Sequence, residues 1–168
     1  MMPQVVRRGG FVAAAIALLV SCGGESGPAP RTLTTPDVTG MLPGNATGTS
    51  FSGSYNMRAS QLEACRCRSG SCASIIPLTG DTHMVVQADG QLTLGSCVGG
   101  VNSDGTFWCG GQAVTPVCLV LMVDQGTFKV SGGVVTGYEV TQELTLVLSP
   151  DHLDCDLRGH LTDDRVGP

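Results

Sequence analysis

Aromatic side chains are scarce in this chain, with one Trp, two Tyr and four Phe among 168 residues. A core built on them would be small, so Val, Leu and Ala must supply most of the buried surface, and the 24 glycines imply many turns. Lysine is nearly missing, since of the nine basic residues only Lys129 is one; this reflects GC-rich codon usage rather than function. No stretch keeps a helical period; Ala59 to Ala64 has room for one helical turn at most. No apolar run approaches the roughly 20 residues that a permanent transmembrane helix requires. Nucleophile-elbow, phosphate-loop and zinc-protease motifs are also missing. No catalytic residue, metal ligand or cofactor is therefore nominated, although missing motifs do not exclude catalysis.

What is present begins with a leader. Met1 to Arg8 is short and basic, and Phe11 to Val20 is uncharged and apolar at about half a membrane span. Leu19-Val20-Ser21-Cys22 follows: an aliphatic residue, a tolerant position, a small residue, then cysteine. This order resembles the lipobox of bacterial lipoproteins. The resemblance implies cleavage before Cys22 and acylation of that residue, with residues 1–21 as signal peptide. It implies attachment to a membrane through the lipid, in the cell envelope. Gly23, where an aspartate would retain such a protein at the inner membrane, favours the outer one. Arg7 and Arg8 leave with the leader, so the processed chain carries seven basic against fourteen acidic residues. That surplus of about seven negative charges argues against nucleic acid or anionic lipid as a partner.

Residues 22–50 are rich in Gly, Pro, Ser and Thr and lack apolar periodicity, which predicts a flexible tether. The Asn45-Ala46-Thr47 sequon then falls in an exposed linker. Residues 51–168 form the expected single domain, and their period is two. Phe51, Gly53, Tyr55 and Met57 share one face; so do Tyr138, Val140, Leu144, Leu146 and Leu148; so do Leu153, Cys155, Leu157 and Leu161. Val117 to Val123 is continuously apolar and reads as a central strand buried on both sides. Asp89-Gly90 and Asp104-Gly105 read as type I′ hairpin turns, and Asp124-Gln125-Gly126, a looser third copy, as a three-residue loop with glycine in the left-handed position. The fold class is thus all-β: an antiparallel meander closing as a small barrel or sandwich, stapled by disulfides.

Gly53-Ser54-Tyr55 on the first strand, with Arg158 on the last, resembles the lipocalin pattern, in which an aromatic residue near the first strand packs under an arginine of the final one. That resemblance implies a carrier of a small apolar ligand. Tyrosine stands where the family has tryptophan, and the Thr-Asp-Tyr motif and C-terminal helix are missing.

With Cys22 lipidated, seven cysteines remain as disulfide candidates: Cys65, Cys67, Cys72, Cys97, Cys109, Cys118 and Cys155. An odd count leaves one thiol over. Cys65 and Cys67 stand one residue apart, so they are expected to take different partners, or one stays free, and the leftover thiol is expected within Cys65–Cys72. Cys97, Cys109, Cys118 and Cys155 are expected to be buried and bridged. The alternative for Cys65-Arg66-Cys67 and Cys72 is thiol-redox chemistry favoured by neighbouring arginines, or metal binding with a histidine from elsewhere. His83, His152 and His160 show no ligand spacing. Asp151, Asp154, Asp156, Asp163 and Asp164 read as a solvated acidic edge. The functional expectation is a lipid-anchored, non-catalytic module that binds a protein, a glycan or a small apolar ligand. An envelope enzyme using the Cys65–Cys72 segment and a lipocalin-like carrier are the alternatives.

Overall fold

The structure is a computed structural model that describes residues 28–39, 41–67, 82–114, 118–148 and 154–168, plus the backbone alone of 18–20 and 73–75; the side chains of 36, 118, 148 and 154 are not described. In chain order the elements are β1 (Leu18–Val20), α1 (Thr35–Val38), β2 (Gly53–Cys67), β3 (Ala73–Ile75) and β4 (Thr82–Ala88). They continue with β5 (Gln91–Leu94), β6 (Cys97–Val101), β7 (Thr106–Val114), β8 (Cys118–Ser131), β9 (Val134–Leu148) and β10 (Asp154–Gly167). Strands β2 and β4 to β10 close an eight-stranded antiparallel barrel in sequence order, with β10 returning to β2. The meander is therefore a barrel, not a sandwich. β1 pairs only with β3, as a separate two-stranded ladder.

The three strands expected from alternation are present and longer than that pattern suggests. Ala59 to Ala64 is not a helical turn but part of β2, paired to β10 except for a bulge at Glu63. Hairpin turns at Asp89-Gly90, Asn102 to Gly105 and Gly132-Gly133 lie at one end of the barrel, here the lower end. Asp89 takes a positive φ of 51° but Gly90 does not, and Gly105 takes one of 86° but Asp104 does not, so neither turn is type I′. Asp124-Gln125-Gly126 is not a turn at all; it runs through β8, paired on both sides.

Five of the seven aromatics gather at the lower end. Phe51, Tyr55, Phe107, Phe128 and Tyr138 pack with Val85, Leu92, Val101 and Val140. Phe51 and Phe128 stack at 4.7 Å, and Phe107 and Phe128 tilt together at 5.0 Å. The upper end is aliphatic: Val120, Leu144, Leu146 and Leu157 surround Cys65. There Cys67 bonds to Cys155, directly opposite on β10, with Cα atoms 4.0 Å apart.

Residues 28–50 depart from the expected free tether. They lie along the outer wall as a strap. Leu33 and Val38 are buried over Leu121 and Val123, the outward residues of β8. This strap is why β8 is covered on both sides. Leu33 N–H donates to Thr145 Oγ1 at 2.8 Å, and Thr32 and Thr145 hydroxyls both donate to Asp156 at 2.9 Å. Further on, Gly44 N–H donates to Gly90 O and Ala46 N–H to Val101 O. Asn45 exchanges hydrogen bonds with the Asn102–Ser103 turn, so its sequon sits on a packed segment. Bare glycines make room. A Cβ on Gly110 would come within 2.6 Å of Val38 Cα, and one on Gly100 within 2.5 Å of Leu42 O. The strap ends by driving Phe51 into the lower core.

Candidate functional site

The barrel lumen holds polar groups that strand parity aims inward. Asp163 on β10 pairs with Tyr138 on β9 and is completely buried. His83 on β4 pairs with Tyr55 on β2. The Tyr138 hydroxyl lies 2.6 Å from His83 Nε2, and Asp163 Oδ1 lies 3.6 Å from the same nitrogen. Among the described residues neither carboxyl oxygen of Asp163 has a partner in full hydrogen-bond geometry, the Tyr138 hydroxyl being the neighbour that acts on it. Burial pushes Asp163 up to about 6, opposed by the adjoining Tyr138 hydroxyl and assisted by Asp164. Tyr138 is raised far above the ordinary phenol range, first by burial and then by the charges of Asp163 and Asp124. Burial likewise pushes Tyr55 up to about 12, and its hydroxyl donates to Phe51 O at 2.8 Å.

Higher in the lumen, Asp124 on β8 faces Cys109 on β7 across the ladder. Cys97 and Cys109 are bonded to each other, with Cα atoms 5.4 Å apart and no exposed surface. Asp124 is buried, and burial pushes it up to about 7, against a Gln142 side-chain hydrogen bond and with help from Asp163. Among the described residues its Oδ1 has no hydrogen-bond partner.

The sequence does not nominate this constellation. Its pattern makes Asp124 a turn residue and Asp163 part of a solvated edge, and the structure corrects both. Asp156 too is buried, beneath the strap, and Arg66 approaches it at 3.3 Å. β10 is no edge, because β2 and β9 flank it on both sides. Asp164 does reach the surface, paired with Arg58. His160 stays on the outer wall; His152 and Asp151 lie outside the described residues, as does the side chain of Asp154. The arginine beside Gly53 and Tyr55 is Arg165, not Arg158. Arg165 binds Ser50 O, Ser52 O and Gly167 O, whereas Arg158 points outward to Glu63.

Of the cysteines, Cys67, Cys97, Cys109 and Cys155 are bridged, and Cys65 is disulfide-bonded as well. Cys65 and Cys67 thus take different partners. Cys22, Cys72 and the Cys118 side chain lie outside the described residues. Cys65 and Cys67 are therefore both held in disulfides, and neither offers a free thiol to a redox or metal site.

Chemically, the lower cluster is poorly arranged for nucleophilic catalysis. His83 turns one nitrogen toward both Tyr138 and Asp163, so Asp163 does not orient the opposite ring nitrogen as a relay carboxylate would. On the outer wall, a cleft of about 560 Å³ lies between the strap and β8–β10, lined by Arg31, Gln125, Thr127, Thr141, Glu143 and Arg158. Its charges are already engaged: Arg31 pairs with Glu143 at 2.7 Å and with Asp37 at 3.1 Å. Comparison of the chain with protein-family models, curated proteins and solved structures finds no significant match.

Proposed function

We propose that this is a lipid-anchored envelope protein whose barrel is a non-catalytic interaction module. The observation that carries the reading is the contrast between lumen and wall. Rings, aliphatic side chains and disulfides occupy the lumen at both ends, which leaves little room for an apolar cargo. Outside, Met84, Val86 and Val98 remain more than half exposed on β4 and β6. Val86 and Val98 both flank Thr93 of β5 across the ladder, so they form one stripe. A filled core with an exposed apolar stripe suits a protein partner better than a small ligand.

The anchor reading rests on the lipobox order at Leu19 to Cys22, and the strap changes its geometry. Only six chain steps separate Cys22 from Pro28, a reach of at most about 22 Å. The barrel would then sit close to the bilayer rather than far out on a long tether. Cleavage before Cys22 would also remove β1 and its ladder with β3.

Intact-mass analysis of membrane-extracted protein tests the anchor. The expected mature N-terminus is Cys22 carrying acyl chains, and Cys22→Ala should release the protein or stall its processing; an unacylated N-terminus elsewhere would sink the reading. Titration with a fluorescent fatty acid tests the lumen. Saturable binding at micromolar or lower concentration would favour the lipocalin-like carrier instead.

A further inference from the structure

We propose that the outer wall of β7–β10 binds a neutral oligosaccharide in the cleft beside the strap, with Trp108 as the stacking surface at its edge. Trp108 is the only tryptophan of the chain. Its neighbours Phe107 and Cys109 are buried in the barrel, so strand parity turns Trp108 outward, where it is half-buried. On one side it faces Gly100, which Leu42 and Gly44 of the strap cross; on the other it faces Gln125, which lines the cleft. One outward row thus runs from Trp108 through Gln125 and Thr141 to His160, on four adjacent strands. With strands about 4.8 Å apart the row spans about 14 Å, the length of two or three linked sugar rings.

The cleft holds about 560 Å³, a volume typical of small-ligand sites. Sites for apolar cargo are lined by hydrophobic side chains, whereas Gln125, Thr127 and Thr141 bring amide and hydroxyl groups that both donate and accept. Sugar hydroxyls have the same double capacity. Charge narrows the class further. Arg31 is paired with Glu143 and Asp37, and Arg158 with Glu63, so an anionic ligand would have to displace a carboxylate from each cation. A neutral ligand need not. The pairs hold these side chains in place while engaging only Nε and Nη1 of Arg31 and Oε2 of Glu143. Arginine carries five N–H donors and a carboxylate two oxygens, which leaves polar groups for sugar hydroxyls. The C–H face of a sugar is apolar and packs on an aromatic ring, which is the part left to Trp108. This face is separate from the β4–β6 stripe, and the proposal rests neither on a protein partner there nor on the lipid anchor.

The test uses the full chain, whose tryptophan emission comes from Trp108 alone. The probes are cellotriose, maltotriose, mannotriose and triacetylchitotriose. At least one is expected to shift the emission saturably, with a Kd of about 1 mM or tighter. Calorimetric titration with that trisaccharide then reads the variants. Trp108→Ala should weaken binding at least about tenfold. Gln125→Ala should weaken it about three- to tenfold, as for one lost hydrogen bond, and Val98→Thr on the other face should leave it unchanged. If Trp108→Ala does not fold, Gln125→Ala combined with Thr141→Val decides, since Gln125 is exposed and Thr141 half-buried. The proposal is overturned if none of the four trisaccharides gives a saturable response, or if binding is unchanged in the folded cleft variants. A response to inorganic phosphate as strong as that to any sugar would make the cleft an anion site and overturn it too.

Discussion

Two stretches of the barrel's outer wall carry the same kind of side chain and meet different fates. On β8 the outward residues Leu121 and Val123 are buried, whereas Met84, Val86 and Val98 on β4 and β6 stay open to solvent. The difference is the strap, which covers the first group with Leu33 and Val38 and does not cover the second. Apolar residues on the outward parity of a strand therefore mark a surface that wants a cover. In one case this chain supplies it.

The most damaging way to break the comparison is to remove the strap. A chain starting at Gly48 loses Leu33, Val38 and Ala46 from the buried set, compared with one starting at Pro28. At about 1.5–3 kcal/mol per buried aliphatic side chain, less the entropy regained, the loss should be about 3 kcal/mol or more. Denaturant midpoints of the two chains measure it. Equal stabilities would mean that the segment is the free tether its composition suggested.

Next in size is a change in the lumen, which both walls share. The Asp163 carboxyl is held up to about 6 by burial, against 3.8 for an ordinary aspartate. The folded state thus keeps its proton longer than the unfolded state does. The contribution of this group is fully present below about pH 4 and is lost as pH rises through about 6, by about 3 kcal/mol for a shift of this size. Asp163→Asn removes this dependence, so it should stabilise the barrel at pH 8 relative to wild type and have little effect at pH 4. Unfolding curves at both pH values check this, and an unchanged pH dependence would show that Asp163 is hydrated in solution.

Much of the barrel was legible because a strand repeats every two residues whatever surrounds it. Inward parity on β10 runs Cys155, Leu157, Leu161, Asp163 and Arg165. Followed two residues past Leu161, it would have placed Asp163 in the lumen, and it makes Arg165 rather than Arg158 the partner of Tyr55. Asp124 was legible in the same way, as the third member of Val120, Met122, Asp124 and Phe128 with Gly126 between. Its Asp-x-Gly spelling outweighed the parity, yet turn residues make a turn only where strand pairing stops. The strap was not legible. It docks through backbone hydrogen bonds and single residues, and its groove is made by glycines, which no hydrophobic period records.

The groove gives the third prediction. Gly110 faces Val38 so closely that a side chain must move one of them. Gly110→Val should cost about 1–3 kcal/mol by overpacking and speed proteolysis within residues 28–46. Gly95 sits in a turn with nothing near its Cβ position but takes a positive φ of 59°, so Gly95→Asn is the control that tests backbone conformation without crowding.

The smallest effects give the sharpest comparison, because they ask whether the bare wall is bare in solution. Val123→Thr puts a hydroxyl under the strap, where Val123 is 2% exposed, and should cost about 1–3 kcal/mol. Val86→Thr and Val98→Thr make the same chemical change at 52% and 54% exposure. Water can solvate the new hydroxyl there, and threonine suits a strand as well as valine does, so each change should stay within about 0.5 kcal/mol of wild type. Denaturation at two protein concentrations a hundredfold apart completes the test. A cost near that of Val123→Thr, growing with concentration, would show a second copy of the chain covering the stripe. A small cost at both concentrations leaves Met84, Val86 and Val98 open to a different protein, as the interaction-module reading requires.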